Sequence, residues 1–479
     1  MGPETEKKNT EREALTLGII GDPIGHTLSP LMHGIFGERT GTELTYTPYH
    51  VRSAGLEEAI RGARALGIRG MNVTVPHKSA VIPYLSSVDP AAERIGAVNT
   101  LVTEENGYRG YNTDASGLKR ALEAAGTVLA GAHVVILGAG GAARAAVCMC
   151  ASEGAAEVLI INRTADKAKQ LAAEVNAACA VTSVSAAAME EFLDADRQNG
   201  VKYLAIQCTS VGLAPHDDAS PVTDPAFFER LCFAVDLIYR PYRTAFLKRA
   251  SAAGVPVLNG LSMLLYQGAD AYELWNPGIR LTDEDLDAAM RALNCAVLGV
   301  RGIFLTGFMG CGKSTVAHAL AKRLSWEVID TDLLIEREAG RSIPEIFAEE
   351  GEQAFRDRES MVLARIVRER LRGDRIGTGG VVVSCGGGLP LREDNRQAMA
   401  CAETGRTVWL RVKPETVAER LAGDTSRPLL AGSAEEKTAR ITSLMAERGP
   451  VYASCADLTV DTDGRTPEEI AEAVVEGLI

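Results

Sequence analysis

Twice in this chain an apolar strand pattern runs straight into a glycine-rich loop and then into helix-compatible sequence. His133-Val-Val-Ile-Leu137 precedes Gly138-Ala-Gly-Gly-Ala-Ala143, and Gly302-Ile-Phe-Leu-Thr306 precedes Gly307-Phe-Met-Gly-Cys-Gly-Lys-Ser314. Strand, glycine turn and helix in that order demand an α/β layer with a mostly parallel sheet. The two loops differ in chemistry. The first has the G-x-G-x-x-A spacing that lets backbone close on a dinucleotide pyrophosphate, and the second has the G-x-x-x-x-G-K-S spacing that wraps the phosphates of a nucleoside triphosphate. A redox step and a phosphoryl transfer on one chain predict two fused enzymes.

At 479 residues the chain exceeds one hydrophobic core, and 46% hydrophobic with 24% charged content is ordinary for a globular protein of two or three domains. The net charge of −13 and the absence of a basic run argue against a nucleic-acid partner. Ten cysteines occur without a Cys-x-x-Cys pair or zinc spacing, which predicts reduced thiols. Residues 1–14 read as a disordered charged tail without an apolar signal core, and no stretch is apolar enough to span a bilayer, so the expectation is a cytoplasmic protein without membrane contact. Oligomeric state stays open.

Around the first cradle, Gly138, Gly140, Gly141 and Ala142 set the tight turn and offer amides to the pyrophosphate. The next strand ends in Asn162-Arg163-Thr164-Ala-Asp-Lys167, without the carboxylate that grips a ribose 2′-hydroxyl. Arg163 and Lys167 can instead pair with a 2′-phosphate, which favours NADP(H) over NAD. Upstream, Pro23-Ile-Gly-His-Thr-Leu-Ser-Pro30, Asn72-Val-Thr-Val-Pro-His-Lys78, Ala97-Val-Asn-Thr100 and Gly110-Tyr-Asn-Thr-Asp114 put small hydroxyls and amides at strand ends, a set suited to a small polyol. Lys78 and Asp114 are the evident acid/base pair, and reduction of a ketone needs a proton at oxygen. Taken singly, Ser29 reads as a turn hydroxyl, Asn72 as a capping amide, Asp114 as a helix N-cap and Lys78 as a surface charge.

Together these segments resemble the shikimate dehydrogenase family from about Leu15 to Leu293. The resemblance implies that Thr27, Ser29, Asn72, Thr74, Asn99, Tyr239 and Gln267 bind shikimate, with Lys78 and Asp114 as the catalytic pair. It also implies that Asn162, Thr164 and Gly260 face the cofactor and that the chain returns to the substrate domain after Gly260. The domains are then 15–115 with 258–294 for substrate, and 116–257 as a Rossmann NADP-binding domain. Thr27 stands where the family has serine, Gln207 where it has Asn, and Asn259 where Asp is common.

In the second cradle the amides of Gly310, Gly312 and Thr315 face phosphates, Lys313 neutralises charge, and Ser314 ligates Mg²⁺. The strand Glu327–Asp330 leads to Asp330-Thr-Asp332, so Asp330 can hold Mg²⁺ and Asp332 can deprotonate an attacking hydroxyl, capping of the following helix being the alternative for Asp332. With Phe355-Arg356, Gly386-Gly387-Gly388, Arg427-Pro-Leu-Leu430 and Glu447-Arg448-Gly-Pro-Val-Tyr452, the stretch from 302 to 479 resembles the shikimate kinase family. The resemblance implies that Asp332, Arg356, Arg448 and Gly386 to Gly388 bind shikimate, the arginines clamping its carboxylate, and that Arg427 reaches ATP from a closing lid. Residues 295–301 read as a short linker. The combined reading is a bifunctional enzyme of the shikimate pathway that makes shikimate and then phosphorylates it, using NADP(H), ATP and Mg²⁺. A quinate enzyme using NAD is the rival within enzymes, and a ligand sensor without turnover the rival outside them.

Overall fold

The computed structural model describes residues 14–25, 27–178, 182–194, 200–371, 379–421 and 434–478. The chain divides into two compact units, Met1–Ala289 and Met290–Ile479.

The first unit holds two six-stranded sheets. One comprises β1 (Leu15–Gly21), β2 (Leu44–His50), β3 (Gly70–Val73), β4 (Ser87–Val88), β5 (Thr100–Glu104) and β6 (Gly107–Tyr111), in the order β2-β1-β3-β5-β6-β4. β1, β2 and β3 run parallel, whereas β3–β5 and β5–β6 are antiparallel. The antiparallel part is a hairpin whose two-residue turn, Glu105-Asn106, leads into Gly107 at φ 155. β3 ends at Val73, and Pro76, which has no N–H, keeps the ladder from running further.

The other sheet comprises β7 (His133–Leu137), β8 (Glu157–Ile161), β9 (Ser183–Ala187), β10 (Tyr203–Gln207), β11 (Leu231–Asp236) and β12 (Val257–Leu258), all parallel, in the order β12-β11-β10-β7-β8-β9. Val134, Val135 and Ile136 on β7 are fully buried, as expected for a parallel strand covered on both faces. Strand order reverses between β7 and β10, so the loops leaving their carboxyl ends diverge and open a crevice. Gly138 begins one loop at φ 116, a conformation that excludes a side chain at little cost only for glycine. Thr209, after β10, lies against it.

The helix Leu261–Trp275 packs back on the first sheet, with Trp275 Nε1 donating to the Leu101 carbonyl at 2.8 Å and its ring filling the space a Cβ on Gly70 would need. The next helix, Asp283–Leu298, extends through residues read as the start of a linker: Cys295 to Leu298 continue its apolar periodicity, and Gly299 at φ 66 ends it.

The second unit has five parallel strands: β13 (Gly302–Thr306), β14 (Glu327–Asp330), β15 (Val381–Ser384), β16 (Gly405–Arg411) and β17 (Leu458–Asp461), in the order β14-β15-β13-β16-β17. β13 is central, so the loop after it emerges where the topology switches sides. The helix Lys313–Leu324 follows that loop. Among the described residues no helix is long and apolar enough to cross a membrane, and all nine cysteines are free.

Candidate active sites

In the first unit the functional groups gather at the carboxyl ends of β1 and β3 and the start of the helix Thr113–Ala124. Asn112 caps that helix, its side chain accepting from the amides of Asp114 and Ala115 at 3.1 and 3.2 Å. Capping therefore falls to Asn112, and the Asp114 carboxylate turns to Lys78, whose ammonium donates to Oδ2 at 2.5 Å. Both side chains are largely buried, at 18% and 8% exposure, so the pair is shielded from water on most sides. Asn99 Nδ2 donates to the other Asp114 oxygen at 2.9 Å and lies 3.5 Å from Gln267 Oε1. Gln267 reaches this point because the helix Leu261–Trp275 crosses the helix Thr113–Ala124 at Gly117, where a Cβ would fall 2.6 Å from the Gln267 amide nitrogen.

Thr27 and Ser29 follow β1, their hydroxyls 3.1 Å apart. Thr74 continues from β3 with its amide donating to the Ile20 carbonyl at 2.9 Å and its methyl against Gly21. Asn72, buried in β3, accepts from the Tyr46 hydroxyl at 2.6 Å. Tyr239 is half-buried after β11 and, among the described residues, makes no hydrogen bond to this cluster.

The dinucleotide loop approaches the same point. Gly140 caps the helix Gly141–Ser152, and a Cβ on Gly141 would sit 3.9 Å from Cδ of Lys78. No atom lies within 4 Å of the Cβ position of Gly140, leaving a surface that backbone amides can present to phosphate. Asn162 donates to the Thr164 carbonyl at 2.9 Å and so shapes the loop after β8. Arg163 and Lys167 are exposed there and form no ion pair with any described residue. Gly260 lies against the backbone of Leu237, whose carbonyl oxygen would be 2.0 Å from a Cβ; its visible role is that packing. Gln207, at the family's Asn position, accepts from the Thr209 amide at 2.5 Å and donates to the Thr209 and Val211 carbonyls, so the longer side chain still organises the loop after β10.

In the second unit the triple glycine is the hub. Cβ atoms would fall 2.5 Å from Asp332 Oδ1 and 2.8 Å from Glu359 Oε1 at Gly386, and 2.0 Å from Arg356 Nη1 at Gly388. At Gly387 the nearest atoms, at 3.6 Å, are the Gly307 carbonyl oxygen and Met309 nitrogen of the phosphate loop. Only residues without side chains let two carboxylates, a guanidinium and a phosphate loop converge here. Tyr452 donates to the Gly387 carbonyl at 2.6 Å, and Arg448 lies beside the Tyr452 hydroxyl with its guanidinium 6.0 Å from the Phe308 ring centroid. Burial pushes the Tyr452 phenol up to about 12, keeping it a neutral donor.

Asp330 caps the helix Thr331–Ala339 through Oδ1, accepting from the Asp332 and Leu333 amides, which relieves Asp332 of that task. Asp330 Oδ2 accepts from the Ser314 hydroxyl at 2.8 Å, and Ser384, ending β15, lies 3.1 Å from the same hydroxyl. These oxygens form a hard-donor set suited to Mg²⁺. Lys313 donates to the Gly307 and Phe308 carbonyls at 3.0 and 3.1 Å, folded along its own loop. Gly310 and Gly312 adopt φ of 78 and 96, and Thr315 stands in the first turn of the helix that follows. Arg356 donates to Glu359 at 2.6 Å and Glu352 at 3.1 Å, leaving further N–H groups for an anion. Burial raises the Glu359 carboxyl, opposed by Arg356 and reinforced by Asp332. Arg427 lies outside the described residues. Sequence reasoning assigned no role to Glu359, Ser384, Tyr46 or Thr100. Glu359 alone carried a signal, its i,i+3 position from Arg356 on a helix. A surface cavity of about 470 Å³ at the amino ends of β1 and β3, flanked by Arg64 and Arg69, contributes none of these groups.

Fold and sites together define a nucleotide-using α/β enzyme, an oxidoreductase followed by a P-loop kinase. Residues 19–101 match the shikimate dehydrogenase substrate binding domain, residues 120–195 match shikimate / quinate 5-dehydrogenase, and residues 309–478 match shikimate kinase. The chain belongs to the shikimate dehydrogenase family and carries a shikimate kinase behind it. It is 44% identical over 261 residues to the shikimate dehydrogenase (NADP(+)) of Moorella thermoacetica, covering 54% of this chain and 87% of that one. The Methanothermobacter thermautotrophicus protein of the same name is 41% identical over 279 residues, covering 58% and 96%. Among solved structures, a Thermus thermophilus shikimate 5-dehydrogenase in complex with NADP(H) and shikimate is 37% identical with a TM-score of 0.51, covering 58% of this chain and 99% of that one. A chorismate mutase/shikimate 5-dehydrogenase fusion from Clostridium acetobutylicum is 31% identical with a TM-score of 0.52, covering 58% and 96%.

Proposed function

We propose that the first unit reduces 3-dehydroshikimate to shikimate with NADPH and that the second transfers the γ-phosphoryl group of ATP to the 3-hydroxyl of that shikimate. The observation that carries the first step is the Lys78–Asp114 ion pair standing beside the dinucleotide loop at Gly141. NADPH supplies the hydride to the carbonyl carbon. Lys78 delivers the proton to the carbonyl oxygen, Asp114 holds the ammonium in line, and Thr27, Ser29, Asn72, Thr74, Asn99, Tyr239 and Gln267 orient the ring. Arg163 and Lys167, exposed and without carboxylate partners among the described residues, receive the 2′-phosphate, which favours NADP over NAD.

In the kinase unit Arg356 and Arg448 hold the carboxylate, and Asp332, against Gly386, takes the proton of the attacking hydroxyl. The phosphate-loop amides and Lys313 hold the phosphates. Ser314 and Asp330 would hold Mg²⁺, which would supply screening of the phosphate charge. We place the enzyme in the cytoplasm, acting on small anions, without nucleic-acid partners. Lys78→Met is expected to lower reductase kcat by about 10²- to 10⁴-fold with kinase turnover intact, and Asp332→Asn to do the converse. Steady-state assays of both reactions on each variant check this, and a Lys78→Met enzyme that still reduces at the wild-type rate contradicts it.

A further inference from the structure

Two buried hydroxyls in the first unit belong to no binding or catalytic role assigned above, yet they link Asn72, Asn99, Asp114 and Lys78. Tyr46, on β2, has its ring stacked on His33 at 4.5 Å and its hydroxyl donating to Asn72 Oδ1 at 2.6 Å, with the Ser29 hydroxyl also in reach. Thr100, the first residue of β5, is fully buried. Its hydroxyl accepts from Asn72 Nδ2 at 3.1 Å and donates to Asn99 Oδ1 at 3.0 Å. Asn99 Nδ2 donates to Asp114 Oδ1, and Lys78 holds Oδ2. The result is one unbroken run of hydrogen bonds from Tyr46 through Asn72, Thr100, Asn99 and Asp114 to Lys78.

A carboxamide presents an oxygen and a nitrogen of nearly equal shape, so its partners decide which way it faces. The Thr113 amide, which can only donate, already fixes the oxygen of Asn99 at 2.7 Å, and the Thr100 hydroxyl, itself 3.1 Å from the Thr113 hydroxyl, adds a second donor at 3.0 Å. With its one proton used there, Thr100 faces Asn72 as an acceptor, which requires the Asn72 nitrogen on that side. The Tyr46 donor on the other side requires the Asn72 oxygen. Asn72 Nδ2 also donates to the Asn99 carbonyl at 3.2 Å, so both its N–H groups are used.

We propose that Tyr46 and Thr100 are positioning residues for the reduction: together they fix the orientation of the Asn72 carboxamide, and Thr100, beside the Thr113 amide, completes the hold on the Asn99 carboxamide that donates to the Asp114 carboxylate. This rests on Lys78 and Asp114 being the catalytic pair. Tyr46 acts on the substrate shelf and Thr100 on the acid/base pair, so their effects separate.

The test uses the full chain carrying Tyr46→Phe, Thr100→Val, Thr100→Ser or Lys78→Met, with kcat and both KM values measured for each. Tyr46→Phe is expected to raise KM for 3-dehydroshikimate about 3- to 10-fold with KM for NADPH unchanged. Thr100→Val is expected to lower kcat by a similar factor with KM for NADPH unchanged, because the Asp114 carboxylate loses its aim on the Lys78 ammonium. Thr100→Ser, which keeps the hydroxyl, restores kcat. Wild-type constants in Tyr46→Phe and Thr100→Val, with Lys78→Met inactive, overturn the proposal and leave the catalytic pair standing. An equal rise in both KM values, unrescued by Thr100→Ser, also overturns it, as a general packing defect. Full reduction by Lys78→Met removes the pair and the proposal together.

Discussion

What a single Cβ would strike separates two glycines that look alike in sequence. At Gly388 the obstacle is the Arg356 guanidinium, the far end of a flexible side chain; at Gly260 it is the Leu237 carbonyl, part of the backbone. Gly388→Ala should therefore displace Arg356 without unfolding the unit. Losing a charge-assisted contact predicts a KM for shikimate raised roughly 10- to 100-fold with unfolding temperature little changed. Gly260→Ala has no such escape and should lower the unfolding temperature of the first unit; calorimetry with kinase kinetics checks both. In the proposed assignment the cofactor preference rests on Arg163 and Lys167, both exposed after β8. Arg163→Ala is expected to raise KM for NADPH about 10-fold while leaving KM for NADH alone, and an equal change for both cofactors would refute the 2′-phosphate assignment.

At the scale of elements, β11 ends in a carboxyl group that couples folding to pH. Asp236 accepts from the Thr244 hydroxyl at 2.6 Å and the Ile238 amide at 3.0 Å, yet burial dominates and pushes its pKa from 3.8 up to about 6. Between these values the folded form holds a proton that the unfolded chain has released. The stabilisation is complete below pH 3.8 and is lost as pH rises through about 6, by at most about 3 kcal/mol. Asp236→Asn should remove that slope, seen as equal hydrogen-exchange protection of β10 and β11 at pH 4.5 and 7. Other elements show what a sequence can and cannot disclose. β7 and β13 were legible because a buried parallel strand is a continuous apolar run, and each opens directly into its glycine loop. β5 and β6 form a hairpin whose Asn106-Gly107 signal went unread, and β4 and β12, two residues each, carry no periodicity at all. Lys78 and Asp114 stood out in sequence as oppositely charged groups among polar strand ends, and the fold joins them in an ion pair. Tyr46, Thr100 and Ser384 were not, since an ordinary hydroxyl gains its role only from neighbours distant in sequence.

For the whole molecule the consequence is chemical succession. The product of the dehydrogenase reaction is the substrate of the kinase reaction, and each unit has its own core and glycine-rich loop. A fused chain raises the local concentration of one site near the other without requiring direct transfer. The most direct measurement gives the purified chain 3-dehydroshikimate, NADPH and MgATP together and identifies the products by mass spectrometry, with ATP omitted in a parallel reaction. The account predicts shikimate 3-phosphate in the first reaction and shikimate alone in the second. Shikimate that accumulates despite ATP, or 3-dehydroshikimate that remains untouched, would contradict it.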